Sequence, residues 1–289
     1  MRKNMKFFKK WYTYQKERFP VLMYGLYIFS IVFAVFCFTN YIVKNQYRID
    51  YIKLIPMFIV AFLQFLMVRI TDEFKDYEED CKYRPYRPVP RGLITLKELK
   101  VLFIISAVLQ GLITFLFNKS GLICLALVWF VSGLLSKDFF IKKIIDKHIL
   151  LGVLLDEVLM PVLVLYLSSY VCIGTEIWPI LLISYFVSWT VEIARKIRCK
   201  EDEEKGVKTY TAVFGIKKAT IILIILETIL MLLQIKVLGR IYFICLYILV
   251  NVINLLFIKK QTKKLAKATE LFANIYIISI YFSMVLLII

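Results

Sequence analysis

The sequence predicts an all-α integral membrane protein of about nine transmembrane helices around a central cavity, and three observations carry that prediction. Hydrophobic residues make up 61% of the 289 residues and mean hydropathy is +0.75, where an ordinary soluble domain has about 45–50% apolar residues. The apolar residues gather into runs of about 20, the length a helix needs to cross a hydrocarbon layer of about 30 Å, without the two-residue alternation of a barrel strand. The charged residues, 20% of the chain, collect between those runs. Such segregation excludes a conventional water-soluble enzyme.

Taken in order, a basic and aromatic arm (1–19) with seven Lys and Arg leads straight into the first apolar run. No cleaved signal peptide is expected there, because no short apolar core with a cleavage site precedes the full-length run. The spans are expected at 20–43, 51–71, 97–117, 121–135, 148–170, 175–196, 216–235, 240–258 and 269–289, within one membrane domain covering 1–289. Lys44 and Arg48 close the first, the acidic run from Asp72 the second, and Lys119 and Lys137 bound the short fourth. Arg195 and Lys196 close the sixth, Lys236 the seventh, and Lys259 and Lys260 the eighth. With a cytoplasmic N-terminus, 31 of the 38 Lys and Arg fall on the cytoplasmic side and six on the other. The positive-inside rule then predicts a multi-pass cell-membrane protein with its N-terminus inside and its C-terminus outside.

The residue inventory narrows the chemistry. A single histidine, His148 beside Lys147, argues against His-rich metal sites and a Ser/His/Asp triad. Six scattered cysteines without a C-x-x-C pair signal neither a zinc site nor a disulfide framework. No glycine-rich phosphate loop of the dinucleotide or Walker type is present. The net charge of +17 is distributed over loops between spans, so anionic membrane lipids or an anionic substrate explain it and no nucleic-acid partner is expected.

Two cytoplasmic loops, 72–96 and 197–215, carry acids as well as bases. In the first, Asp72, Asp76 and Asp80 recur every fourth residue, with Arg69 one turn earlier and Lys75 inside the run. On a helix these acids share one face, where like charges repel; hard cations such as Mg2+, which bind a few carboxylates and keep positions for phosphate oxygens, offset that repulsion. The turn Arg87-Pro88-Val89-Pro90-Arg91-Gly92 follows. At these residues the chain resembles the UbiA-type intramembrane prenyltransferase family, whose first signature is N-x-x-x-D-x-x-x-D followed by R-P-[ILV]-P-x-G. Asp72 stands at the asparagine position.

The second loop is similar to the family's second signature, D-x-x-x-D leading into G-x-K-[ST] and then F-G. Asp202 matches the second aspartate, and Gly206, Lys208, Thr209, Phe214 and Gly215 match the tail, while Arg198 occupies the first aspartate position. A substitute carboxylate is available in Glu192, inside the sixth span, where an ionisable group is expensive. Tyr185, Trp189, Glu192 and Lys196 share one helix face, which suits aromatic lining below a charged mouth; the alternative is that Glu192 simply pairs with Lys196 at i+4. Asp156, Glu157 and Glu227 are further acids within spans, either lining a cavity or pairing with neighbouring helices.

The resemblance implies Mg2+-dependent ionisation of an isoprenyl diphosphate and transfer of the chain to a lipid-soluble, often aromatic, acceptor. Expected metal ligands are Asp72, Asp76, Asp80, Glu192 and Asp202, with Asp76, Asp80 and Glu192 as the catalytic core. Arg69, Lys75, Arg87, Arg91, Arg195, Lys196, Arg198 and Lys208 are the candidates for the diphosphate, and Tyr185 and Trp189 for the isoprenyl chain. A membrane terpene cyclase uses the same ionisation without an acceptor. A transporter of an anionic lipid or solute is the rival from another class, but its polar groups belong at the midplane rather than at one face.

Overall fold

The structure, a computed structural model, describes residues 2–42, 51–145, 147–204, 207, 209–239 and 243–286. Its elements are α1 (Arg2–Arg18), α2 (Val21–Ile42), α3 (Tyr51–Lys75), α4 (Tyr77–Tyr83), α5 (Leu96–Phe117), α6 (Leu122–Ser136) and α7 (Lys142–Ile145). They continue with α8 (Ile149–Asp156), α9 (Leu159–Ser168), α10 (Trp178–Arg195), α11 (Tyr210–Leu238), α12 (Ile244–Lys260) and α13 (Lys263–Val285), joined by short 3₁₀ turns. No strand occurs among the described residues, in agreement with the expected class. Eight of the expected spans are long and apolar enough to cross a membrane among these residues: α2, α3, α5, α6, α8 with α9, α10, α11 and α13. At 17 residues, α12 takes the place of the expected eighth span, whose first residues, 240–242, lie outside the described residues.

Three departures from the expected boundaries have physical causes. Helix α3 runs past residue 71 because the polar residues that end the apolar run keep their i→i+4 backbone bonds beyond it. Helix α11 begins at Tyr210, capped by the Thr209 hydroxyl, and is bent at Gly215, whose φ of +79° only glycine adopts without strain. The expected fifth span is divided into α8 and α9. Pro161 lacks an N–H to bond the Glu157 carbonyl four residues earlier, and its ring crowds that carbonyl. The Met160 N–H reaches the Glu157 carbonyl instead, at 3.2 Å, and the helix loosens at Glu157 and Val158.

The helices pack as a closed circuit in chain order, α2–α3–α5–α6–α9–α10–α11–α12–α13, with α13 returning to α2. Cross-contacts of α2 with α9 and of α10 with α13 fill the inside. The far half of α2 shows this: Val32, Ala34, Val35, Phe36, Cys37 and Phe38 are fully buried, against Leu163, Val164 and Leu167 of α9 and Ile277, Ile280 and Tyr281 of α13 in one apolar core. Near α1 the same helix exposes Leu22, Met23 and Leu26.

The basic arm is an ordered helix rather than a loose tail. Tyr14 is buried with Ile70, Val89, Ile94 and Leu99. Around that contact Arg18 pairs with Glu73, Arg91 with Glu17 at 2.8 Å, and Lys10 with Glu98. Helix α1 therefore covers the end of α3 and the Arg-Pro-Val-Pro-Arg-Gly turn. Glu98 also completes a capping box with Thr95 at the start of α5, so one carboxylate fixes both a helix end and the arm.

Candidate active site

The first acidic run keeps its expected geometry. Backbone bonds join Asp76 N to Asp72 O, Asp80 N to Asp76 O and Arg84 N to Asp80 O at 2.8–2.9 Å. The three aspartates are thus stacked one turn apart across the junction of α3 and α4, where Asp76 adopts φ −92° and ψ 2°. Their environments differ. Asp72 pairs with Arg69 at 2.7 Å. Asp80, 2% exposed, accepts both Arg87 bonds from one guanidinium nitrogen, at 2.8 and 2.6 Å, and pairs with Arg84 at 3.2 Å. Among the described residues Asp76 forms no ion pair, and it stands between the other two.

The turn that presents Arg87 is closed by the Arg91 and Gly92 N–H groups bonding to the Arg87 and Val89 carbonyls. Gly92 has φ +76°, the left-handed setting that explains a glycine at this point of the signature. Arg91 faces outward to Glu17 and the Tyr86 carbonyl, so of the two signature arginines only Arg87 meets the aspartates.

The two loops come together through Glu204. Its carboxylate lies 3.9 Å from Arg84 Nε, accepts from Tyr86 Oη at 3.4 Å, and pairs with Arg198 of its own loop at 3.3 Å. Arg198 also donates to the Asp202 carbonyl at 3.3 Å. In place of an aspartate, this chain has a cation that ties the loop internally and across to the first signature. Glu203 accepts from the Thr209 and Thr211 hydroxyls at 2.6–2.7 Å, which fixes the signature threonine at the start of α11. Asp202 pairs with Lys263 of α13, whose ammonium holds the carboxyl below the usual carboxylate range. Gly206 and Lys208 lie outside the described residues.

Glu192 takes both alternatives' geometry but the partners of the simpler one: Arg195 and Lys196 each lie 2.5 Å away. Helix α10 ends at Arg195, so Arg198 is not a continuation of its spiral. Tyr185 and Trp189 pack with ring centroids 5.5 Å apart on the face that also bears Glu192 and Lys196, as expected. Lys75 pairs with Asp138, a buried residue in a stretch where Asp138, Phe139 and Phe140 all have positive φ. Three such non-glycine residues in succession are costly, and the ion pair helps to hold them.

The structure therefore gathers Asp72, Asp76, Asp80, Arg69 and Arg87 around the α3–α4 junction, and adjoins Arg198 through Glu204. Asp72 and Arg195 interact electrostatically, which brings the end of α10 to the same place. Asp202 is drawn instead to Lys263. No three acids, histidines or cysteines form one metal-holding group among the described residues. Sequence reasoning missed Glu73, Asp138, Glu203 and Glu204. Each lies beside a residue that was singled out or closes a charge the pattern left open, but only the fold supplies its partner. Glu227 is settled as a helix–helix contact, accepting from Asn254 at 2.8 Å.

Residues 30–278 match the family model of the UbiA prenyltransferase family. The chain is 22% identical over 261 residues to a digeranylgeranylglyceryl phosphate synthase from Methanocaldococcus jannaschii, covering 83% of this chain and 87% of the relative. Among solved structures, one of a digeranylgeranylglyceryl phosphate synthase superposes with a TM-score of 0.63 at 21% identity, over 96% of this chain and 98% of the other. A UbiA homolog from Archaeoglobus fulgidus, bound to DMAPP and Mg2+, superposes with a TM-score of 0.55 at 12% identity, over 92% and 97%.

Proposed function

This chain belongs to the UbiA prenyltransferase family, and from that premise we propose that it transfers an isoprenyl group from a polyprenyl diphosphate to a lipid-soluble acceptor, with Mg2+, at the cytoplasmic face of the membrane. The observation that carries the reading is the aspartate ladder with Asp76 unpaired among the described residues and Arg69, Arg84 and Arg87 around it.

The donors fit Mg2+. It is a hard cation usually held by one or two carboxylates, with substrate phosphates and water completing its shell. Asp76 with Asp72 one turn away offers that set, and a third converging protein carboxylate is not required. Mg2+ when bound there would neutralise charge on the diphosphate as it leaves. The chain's own cations extend that neutralisation. Arg84 and Arg87 are held in place by Asp80, and Arg198 by Glu204, so their remaining guanidinium donors are preorganised rather than recruited from solvent. Aromatic faces at Tyr185 and Trp189 suit the isoprenyl chain and its allylic cation.

Two acceptor classes follow: an aromatic ring, from the sequence resemblance, and a glyceryl phosphate lipid, from the name of the Methanocaldococcus relative. Arg198 in place of an aspartate keeps the cyclase as a second reading. The test incubates purified protein and Mg2+ with DMAPP, geranyl or geranylgeranyl diphosphate, and with geranylgeranylglyceryl phosphate, 4-hydroxybenzoate or no acceptor, followed by mass spectrometry. Prenylated acceptor formed only with Mg2+ supports transfer. A cyclic hydrocarbon or alcohol formed at a catalytic rate without acceptor overturns it in favour of cyclisation.

A further inference from the structure

The break between α8 and α9 places inside a span an acid, Glu157, that forms no ion pair among the described residues. Pro161 frees the backbone at this point, and the released groups are taken up individually. Val158 N–H turns to the Leu155 carbonyl at 3.2 Å, and the Leu154 carbonyl it abandons accepts from Tyr185 Oη at 3.0 Å. One turn further along α10, the Ser188 hydroxyl donates to the Glu157 carboxylate. Two successive turns of α10 thus clasp the break and fix the direction of one side chain, Glu157. Irregular backbone at membrane depth persists where it is buried in protein or lines a cavity, and an intramembrane acid is there for a reason that its partners reveal.

Those partners lie toward the aspartate ladder. Glu157 interacts electrostatically with Asp156, Glu192, Arg195 and Lys196, and with Tyr27 of α2, Tyr185 of α10 and Tyr210 of α11. Asp156, exposed, interacts with Lys75, Asp138, Glu192 and Lys196. Arg195 acts on Asp72 as well as on Glu157, and Lys75 on Asp72 as well as on Asp156. The acids at the break therefore adjoin the same cations as the first signature. None of those cations reaches hydrogen-bond distance, and among the described residues neither Asp156 nor Glu157 forms an ion pair. Ser188, which holds Glu157, lies four residues before Glu192 on α10, about 6 Å deeper, and about 10 Å deeper than Arg195. Cations suited to diphosphate are at the mouth, and Glu157 stands on the membrane side of them, where the first carbon of the isoprenyl chain would lie.

We propose that Glu157 is the proton acceptor of the transfer step, oriented by Ser188, and that the acceptor substrate presents a proton-bearing nucleophile to it. The inference rests on the prenyl-transfer reading above. The C1–O bond breaks with its electron pair passing to the diphosphate; an electron pair of the acceptor, from a hydroxyl oxygen or a phenolic ring, forms the bond to C1. The acceptor's proton goes to a Glu157 carboxylate oxygen, and Asp156 beside it offers the route to water.

Glu157→Gln keeps the shape and an acceptor for Ser188 but takes no proton. The test compares it with wild type and Glu157→Asp, using geranylgeranyl diphosphate with geranylgeranylglyceryl phosphate and with 4-hydroxybenzoate, and measures Mg2+-dependent geranylgeranyl diphosphate binding in parallel. General-base loss predicts a fall in kcat of about 100-fold or more, with diphosphate affinity and its KM unchanged and partial recovery in Glu157→Asp. A kcat within about threefold of wild type, or a parallel loss of diphosphate binding, overturns the role. If Asp76→Asn is inactive while Glu157→Gln is normal, this inference alone falls; if neither acceptor is prenylated by wild type, both readings fall.

Discussion

Asp76 and Asp80 sit one turn apart on the same ladder, yet substitution at each does different damage. Asp76→Asn removes the carboxylate that forms no ion pair among the described residues, so turnover should fall by several orders of magnitude while the protein keeps its thermal stability. Asp80→Asn leaves Arg84 and Arg87 facing a neutral group in a buried place, and breaking such a pair costs about 3 kcal/mol or more. Thermal unfolding should show that loss, together with lower activity. Arg198→Asp restores the family's usual residue but cuts the tie to Glu204 and adds a fifth acid to a loop that already holds Glu201, Asp202, Glu203 and Glu204. Its activity should drop rather than rise, read as a higher KM for diphosphate. The ladder spacing and the signature turn were legible in the sequence because both are local. The division of labour among the aspartates was not, because it depends on which guanidinium the fold brings to which carboxylate.

At the scale of elements, the apolar runs located the spans with ends that differ by up to six residues, at the starts of α11 and α13, since each must satisfy its backbone within one helix. Helix α1 was visible only as a basic arm. Its docking depends on Glu73, Glu17 and Glu98 pairing over distances in sequence that no local pattern encodes, and on Tyr14 entering a small core beneath the signature turn. Burial and the neighbouring Glu73 hold the Tyr14 hydroxyl well above its ordinary range, so it stays protonated through neutral pH. Arg18 and Glu73 have side chains only 10% and 1% exposed. Arg18→Ala should therefore destabilise by about 3 kcal/mol and weaken Mg2+-dependent activity through the end of α3, with Arg18→Lys recovering part of both. Loss of stability without any change in metal dependence would confine α1 to packing. The α8–α9 break did have a local signal, Pro161, inside a run whose hydropathy alone reads as continuous. Asp202, by contrast, changes little near neutrality. Its lowered carboxyl makes the Lys263 tie fully present above the ordinary aspartate range and lost only as pH falls through the lowered value, so α13 should stay tethered to the second loop down to acidic pH, as hydrogen exchange would report.

For the whole molecule, the circuit of helices is packed shut at the far half of α2 and carries both signature loops and α1 at the other end. From the charge asymmetry we propose that this end faces the cytoplasm. A cysteine introduced in the 84–93 turn should be labelled by an impermeant reagent only after cytoplasmic access, whereas one near Lys119 should be labelled from outside; the reverse pattern would invert the proposed orientation. In the proposed reading Glu157, held by Ser188 deeper along α10 than Arg195, follows the diphosphate charge and the reacting carbon from mouth to interior. The most direct measurement of this account is the rate of isoprenyl transfer by purified wild-type and Asp76→Asn protein with geranylgeranyl diphosphate and the acceptor panel, titrated with Mg2+ and then with chelator. Transfer that follows Mg2+, ceases with chelator and is nearly absent in Asp76→Asn is the predicted result; undiminished transfer by wild type in chelator, or wild-type turnover by Asp76→Asn with Mg2+, would contradict it.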